Sequence, residues 1–275
     1  MMKMRYLLGP AFALLAACVL PVSCYRPELP DREPDVEPDV PEHAVDMGIV
    51  MTREDGTTYK LYWAESNLSE RGLCPNPEDF GDYFAWGETS SYYKRGHATD
   101  NPCTQWKSGK DGYDWESYKW CGSIDLHARM IRYCPSDKPE YWAKRGNPDN
   151  KSEFMDYGYA DDAARAILHG KWRMPSRAEW TALSEQCTWT WTNREGVLGF
   201  TVTAVNGNSI FIPAAGYRMD DVIREVGASS NYWSSTADTE YPDYAWYMFT
   251  KKDRYVGEYR SGRYYGHSVR PVAEI

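Results

Sequence analysis

Residues that could form a binding surface are concentrated in the C-terminal third of the sequence. Tyrosine, tryptophan and arginine predominate at binding hot spots, because they offer contact area and hydrogen bonds at a low entropic cost. Flat aromatic faces also stack on sugar rings, so the expected ligand is a glycan or a protein. The predicted ligand-binding residues are Arg218, Asn231, Tyr241, Tyr244, Trp246, Arg254, Tyr255, Arg260, Arg263, Tyr264 and Tyr265. Within this set the loop Tyr255–Tyr265 is favoured, since loops on rigid scaffolds commonly carry recognition.

Other aromatic residues are expected to belong to the core. Along Ala245–Phe249, a period of two places Ala245, Tyr247 and Phe249 on one face of a strand and Trp246 and Met248 on the other. Arg270 is expected to tie a terminal strand into the fold. The tryptophans predicted to be core residues are Trp180, Trp189, Trp191 and Trp233.

The sequence contains no arrangement that predicts catalysis. A glycosidase needs two facing carboxylates, and the acidic loop residues Asp220, Asp221, Asp238, Glu240 and Asp243 could supply them. Acidic residues in an acidic protein are usually only solvated, however, and there is no Ser-His-Asp order, HExxH motif or phosphate-binding loop. We therefore expect a protein that is not an enzyme and uses no cofactor, with a carbohydrate-active enzyme as the weakest alternative.

Charge and metal-ligand spacing restrict the partners. The 275 residues carry a formal net charge of −9 and show no basic face, which argues against nucleic acid as a partner. No two cysteines have CxxC spacing and the histidines do not cluster, so no metal site is predicted. A structural calcium ion bound by loop carboxylates stays open.

The N-terminus resembles an export signal with a lipid-modified cysteine. An uncharged run, Tyr6–Ser23, follows two basic residues and is too short for a convincing membrane span. Either Cys18 or Cys24 is expected to carry the lipid that attaches the protein to a membrane. Residues 1–24 are thus predicted to be a lipoprotein signal peptide, and 25–44, rich in proline and acidic residues, a disordered stalk.

The predicted location is the outer membrane, on the cell surface or the periplasmic face. Disulfides are allowed in such a compartment. Their pairing cannot be deduced from spacing, so it is left open among Cys74, Cys103, Cys121, Cys134 and Cys187.

Residues 45–275 are predicted to form one domain. Ser176 and Glu179 form a capping box that starts one helix, and a second helix is expected with Asp161 as its N-terminal cap and Gly170 as its stop. Asn206-Gly207 predicts a tight hairpin turn. Strands are expected on both sides of the turn Glu54-Asp55-Gly56, at residues 189–191, 200–204 and 209–212, and at Tyr232–Ser235, Tyr244–Thr250, Tyr255–Tyr259 and Ser268–Val272.

Several motifs resemble the Fibrobacter succinogenes major paralogous domain family, which is common among exported lipoproteins of Bacteroidetes-type bacteria. The similarity covers roughly residues 45–272. The matching stretches are PEDFGDYFAWGET (Pro77–Thr89), YKWCGS (Tyr118–Ser123), DDAA (Asp161–Ala164), KWRMPSRAEWTALSEQCTWTW (Lys171–Trp191), NGNSIFIPAAGYR (Asn206–Arg218), YWSST (Tyr232–Thr236) and SVRPV (Ser268–Val272).

This resemblance implies an α+β, C-type-lectin-like domain with two helices, a twisted antiparallel sheet core and long loops. The fold is shared with formylglycine-generating enzymes, but their C-terminal cysteine pair is absent here, since Cys187 is the last cysteine. The calcium-binding triplets of sugar-binding C-type lectins are also absent. The resemblance therefore implies a non-catalytic module for ligand binding or adhesion, and the alternative is a structural component, such as an appendage tip or a subunit of an envelope complex.

Overall fold

The computed structural model describes residues 39–91, 112–143, 147–252 and 256–275. These residues lie within one unit of the chain, Pro38–Ile275. The strands in chain order are β1 (Ala44–Thr52), β2 (Thr58–Ala64), β3 (Leu68–Ser69), β4 (Gly72–Leu73), β5 (Cys121–Ile124), β6 (Ala128–Met130), β7 (Trp172–Arg173), β8 (Thr188–Arg194), β9 (Val197–Thr203), β10 (Ser209–Pro213), β11 (Tyr217–Met219), β12 (Val222–Arg224), β13 (Ser229–Ala237), β14 (Tyr244–Lys251), β15 (Val256–Gly262) and β16 (Val272–Glu274). The α-helices are α1 (Ala163–Leu168) and α2 (Arg177–Gln186), and 3-10 turns cover Pro139–Tyr141 and Phe154–Tyr157.

The predicted fold class, an α+β C-type-lectin-like domain on a twisted antiparallel sheet core, is wrong. Strands make up 42% of the described residues and helices only 11%, and the strands form several small antiparallel sheets. Long irregular segments between short strands prevent the backbone ladders from merging into a single sheet. Two helices are nevertheless found in the middle of the chain, where the capping signals placed them.

One four-stranded sheet brings the two ends of the described chain together. Its strand order is β1-β2-β16-β7, so the C-terminal strand β16 pairs with β2 on one side and β7 on the other. The predicted strand Ser268–Val272 is misplaced, because the strand covers Val272–Glu274. Before this strand, the side chain of Arg270 is buried in the interior. Its guanidinium donates hydrogen bonds to Asn67 Oδ1, the Ala64 carbonyl and the Phe211 carbonyl.

A second sheet, β10-β9-β8, follows the period-two pattern of its sequence. Asn206 and Gly207 lie in the turn between β9 and β10, and Gly207 has a φ of 88°, which glycine adopts without strain. The expected hairpin is therefore confirmed. Trp189 and Trp191 in β8 are partly buried and pack against the core, as predicted.

The third sheet, β13-β14-β15, is called the C-terminal sheet below. Met248 of β14 is buried in the main core, whereas its neighbours Tyr247 and Phe249 share the opposite, more open face. Trp246 lies on the core side and stacks under the Arg177 guanidinium of α2 at 3.4 Å. The alternation predicted for this strand is confirmed for these residues.

The helix termini show how local chemistry sets boundaries. The Ser176 hydroxyl accepts a hydrogen bond from the Glu179 amide, and the Glu179 carboxylate accepts one from the Ser176 amide at 2.7 Å, which confirms the capping box. For α1, the cap is Asp162, one residue later than predicted. Asp161 is instead held by Arg132 and the Tyr133 hydroxyl.

Two large clusters form the core on either side of β13. Trp63 and Trp180 meet at 4.6 Å in the first cluster, and Trp233 lies in the second. Trp180 and Trp233 are fully buried, as expected. Trp63 and Trp180 cover the Met248 face of the C-terminal sheet, whereas Trp233 lies on the opposite face, beside Tyr247 and His267.

Candidate ligand-binding groove

A groove of about 420 Å³ runs over the open face of the C-terminal sheet. This volume falls in the range of small-molecule sites in proteins. The groove is called the aromatic groove, and its lining residues are Trp115, Tyr217, Glu225, Asn231, Asp243, Tyr244, Tyr247, Phe249, Arg260, Ser261, Gly262, Tyr264, Tyr265 and His267.

Rings from distant parts of the chain form its wall. Tyr264 stacks on Tyr265 with ring centroids 4.4 Å apart, and Trp115 contacts Tyr264 at 4.7 Å. Trp115 comes from a segment about 150 positions earlier in the sequence. Aromatic pairs in this range add stabilisation beyond their buried area, so the wall is a preformed surface.

His267 is the most unusual polar residue of the groove. Its ring stacks on Tyr247 at 4.7 Å and contacts Trp233 at 4.2 Å, and the residue is only 2% exposed. No side chain of the described residues bonds either ring nitrogen, and the one polar contact of the ring is with the Gly266 backbone. Burial lowers the pKa of His267 to about 3, so the imidazole is uncharged at neutral pH.

Two carboxylates and one guanidinium are the charged groups that line the groove within the described part of the chain. Asp243 is partly buried, which raises its pKa, and its Oδ1 accepts no hydrogen bond. Glu225 lies 3.5 Å from the Lys251 ammonium at the surface. Arg260 ion-pairs with Asp238 and Glu240, so its charge is already engaged.

A second groove of about 450 Å³ adjoins the first. The two share Trp115, Asp243 and Tyr244, so these three residues separate neighbouring binding volumes. The residues that line only this adjoining groove are Ile124, Asp125, Leu126, His127, Ala128, Tyr141 and Tyr241.

The structure brings about half of the predicted site residues together. Asn231, Tyr244, Arg260, Tyr264 and Tyr265 line the aromatic groove. Of the rest, Tyr241 lines the adjoining groove, and Trp246 faces α2. Arg254 and Tyr255, like the predicted lipidation sites Cys18 and Cys24, lie outside the described residues.

Two predicted ligand-binding arginines are corrected by the structure. Arg263 has no exposed surface, because its guanidinium donates to the carbonyls of Tyr244, Arg132 and Tyr133 and lies over the Trp86 ring. Arg218 is 1% exposed, and its guanidinium lies 5.1 Å from the Tyr83 ring. Both residues hold the interior together and cannot contact a ligand.

Sequence reasoning did not select Trp115, Glu225 or His267 as ligand-binding residues. Trp115 lies in a stretch for which no helix or strand is predicted, and nothing in its spacing distinguishes it from the other tryptophans nearby. His267 carries no spacing signal at all, since only the fold places Tyr247 and Trp233 against it.

Among the described residues, no three histidine, cysteine or acidic side chains lie close enough to hold a metal ion. No disulfide joins Cys74, Cys121, Cys134 and Cys187 to one another, and Cys103 lies outside the described residues. No described helix has the length and apolar character needed to cross a membrane.

Comparison with known proteins adds no identification. No family model matches the sequence, and neither a curated protein nor a solved structure matches it. The family resemblance of the motifs therefore stays a prediction.

Proposed function

We propose that this protein is a non-catalytic recognition module that binds a glycan in the aromatic groove. The observation that carries the proposal is the convergence of rings from the C-terminal sheet and from Trp115 on one open groove of about 420 Å³. Within this groove lie five of the residues selected from sequence for ligand binding.

The lining suits a sugar ring. The C–H faces of a pyranose stack on flat aromatic surfaces, which Tyr264, Tyr265 and Trp115 supply. Sugar hydroxyl groups need polar partners around those surfaces, and the tyrosines and Asp243 of the same groove supply hydroxyl and carboxylate groups. A mostly aromatic surface with a few polar groups is typical of sites that fix ligand orientation.

The arrangement supports binding more than catalysis. His267, the histidine of the groove, is buried, and no carboxylate or other side chain of the described residues orients it as a general base. Glu225 lies near Lys251 at the surface, and burial raises the pKa of Asp243. These carboxylates are better suited to accept hydrogen bonds from a ligand than to act as an acid and base pair.

A protein ligand is the second candidate, favoured by one observation. The hairpin β5–β6 beside the adjoining groove presents Leu126, which is 93% exposed, and Ile124, which is 52% exposed. Exposed apolar residues grouped at a groove often mark a protein interface. This is the arrangement expected of an assembly component that contacts another subunit.

The export signal and the motif resemblance place the module in the cell envelope as part of the same proposal. Lipid attached at Cys18 or Cys24 would hold the domain at the outer membrane. Mass spectrometry of the mature N-terminus tests this part, with a diacylated or triacylated cysteine as the expected result. An unacylated N-terminus contradicts the lipid anchor and leaves the groove proposal untouched.

A glycan and mucin array tests the binding function. The wild-type protein is expected to bind a defined set of glycans, and Tyr244→Ala is expected to reduce that signal about tenfold, because Tyr244 is exposed and lines the groove. Met155→Ala is the control, since Met155 is exposed and lines neither the aromatic groove nor the adjoining one. Equal loss in both variants, or no binding by the folded protein, contradicts the proposal.

A further inference from the structure

We infer that the aromatic groove selects glycans that carry a protonated amine, an amino sugar with a free ammonium group, with the ammonium between the aromatic wall and Asp243. The inference rests on the proposed glycan function and adds the chemical class of the ligand. It is argued from the charges, rings and unpartnered polar atoms of the groove.

The positive charge of the groove is already neutralised. Arg260 is the one cation among its described lining residues. Its Nε lies 3.3 Å from Asp238 Oδ2, and its Nη1 lies 3.2 Å from Glu240 Oε2. An anionic sugar would have to compete with both carboxylates, so the groove offers little to a sialic or uronic acid.

The negative charge of the groove is not neutralised to the same degree. Asp243 Oδ1 is buried and accepts no hydrogen bond. Two basic residues act on Asp243: Arg263, which uses its donors on three backbone carbonyls, and His127, whose ring packs on Tyr141 at 4.7 Å. Neither donates a hydrogen bond to Oδ1, and a partly buried carboxylate oxygen without a donor favours a cationic partner that can supply one.

His267 lies beneath the groove as a neutral ring. The residue is 2% exposed, and its one polar contact among the described residues is with the Gly266 backbone. Because the ring is neutral, it adds no repulsion toward a cation. The deep side of the groove is therefore compatible with an ammonium.

The rings favour the same charge. Aromatic faces carry negative electrostatic potential and attract ammonium groups placed over them. The stacked pair Tyr264–Tyr265 and the neighbouring Trp115 and Tyr244 border the volume that Asp243 also borders. Rings and a carboxylate around one volume form the usual surroundings of an alkylammonium ion.

The experiment compares three β-1,4-linked hexaoses that differ only at carbon 2. Cellohexaose has a hydroxyl there, chitohexaose an acetamide, and fully deacetylated chitohexaose an ammonium. Calorimetric titration of the full-length protein at about pH 6, below the usual pKa of an alkyl amine, is expected to show about tenfold tighter binding of the ammonium form. That preference is expected to shrink as salt is raised from about 0.05 to 0.5 M.

Asp243→Asn is expected to reduce the ratio between the ammonium and hydroxyl hexaoses toward one. Asp137→Asn, the same charge change at an exposed position outside both grooves, is expected to keep the wild-type ratio. The inference is overturned if the neutral hexaoses bind as tightly as the ammonium form, or if the preference persists in Asp243→Asn. Neutral binding that Tyr244→Ala still weakens leaves the glycan function standing, whereas no binding of any hexaose or array glycan removes the function itself.

Discussion

Two buried arginines, Arg263 and Arg270, are held mainly by backbone carbonyls. The guanidinium of Arg263 donates to three carbonyls, and that of Arg270 donates to two carbonyls and an Asn67 side chain. The planar fork of arginine serves such sites because its donors diverge in fixed directions. At the scale of single residues, these side chains join segments that have no regular ladder of their own.

Arg263→Ala is expected to destabilise the fold, because it leaves the carbonyls of Tyr244, Arg132 and Tyr133 without their donor. The expected loss is about 3 kcal/mol or more in the free energy of unfolding, measured by urea denaturation. Arg129→Ala is the control and should cost less than about 1 kcal/mol, since Arg129 forms only a partly exposed ion pair with Asp125. Unchanged stability in Arg263→Ala would contradict the structural role.

His267 makes the fold sensitive to acid. Its pKa is about 3 in the folded protein and 6.5 when solvated. Because the folded pKa is the lower one, the unfolded state binds more protons between these values, and stability falls as pH falls below 6.5. The expected contribution at about pH 5 is a loss of about 2 kcal/mol relative to neutral pH.

The variant His267→Phe tests this contribution. It keeps a ring between Tyr247 and Trp233 and removes the titrating group. Urea denaturation between about pH 7.5 and 5 should show a smaller decrease in stability for the variant than for the wild type. Parallel pH profiles for the two proteins would show that His267 is protonated as easily in the folded state as in the unfolded one.

One carboxylate, that of Glu179, links helix α2 to strands β2 and β7. Glu179 closes the capping box with Ser176, accepts two bonds from the Arg173 guanidinium, and accepts the Tyr59 hydroxyl. Burial by itself would raise the pKa of Glu179, but the Arg173 bonds and charge lower it below 4.5. At the scale of elements, this one side chain aligns α2 with β2 and β7.

Glu179→Gln is expected to lower the free energy of unfolding by about 3 kcal/mol at neutral pH, because Arg173 stays buried while its main partner loses its charge. The wild type should lose this contribution as pH falls below about 4.5, so the difference between the two proteins narrows in acid. Thermal denaturation at several pH values measures it. A difference that is constant with pH would contradict the ion-pair explanation.

The molecule as a whole is closed by its C-terminal strand. β16 lies between β2 and β7, and Val272 and Ala273 are fully buried. Beyond the strand, the Ile275 amide still donates to the Lys60 carbonyl. Long-range pairing of this kind makes the ends of the domain depend on each other.

Deletion of residues 272–275 is therefore expected to abolish cooperative unfolding, since it leaves β2 and β7 without their shared partner. Circular dichroism on heating measures the transition. Glu274→Ala is the matched control: it keeps the backbone ladder, removes the ion pairs with Arg53 and Arg173, and should cost about 1 kcal/mol. A cooperative transition in the deletion variant would show that the sheet closes without β16.

Features that depend on near neighbours in the chain were predictable from the sequence. The capping box of α2, the Asn206-Gly207 turn and the alternation of β14 are confirmed, because each is set by interactions within a few residues. The burial of Trp180 and Trp233 was predictable from residue type and position, and so was the role of Arg270 in holding the terminal segment in the fold. The export signal and lipid anchor are sequence predictions that rest on residues outside the described part.

Only the tertiary structure decided which residues meet. The fold class was predicted wrongly because the division of short strands into separate sheets depends on long-range pairing. Arg218 and Arg263 were predicted to bind a ligand, but both are buried by rings and carbonyls that are distant in the sequence. Trp115, Asp243 and His267 line the same groove because segments far apart in the sequence pack together there.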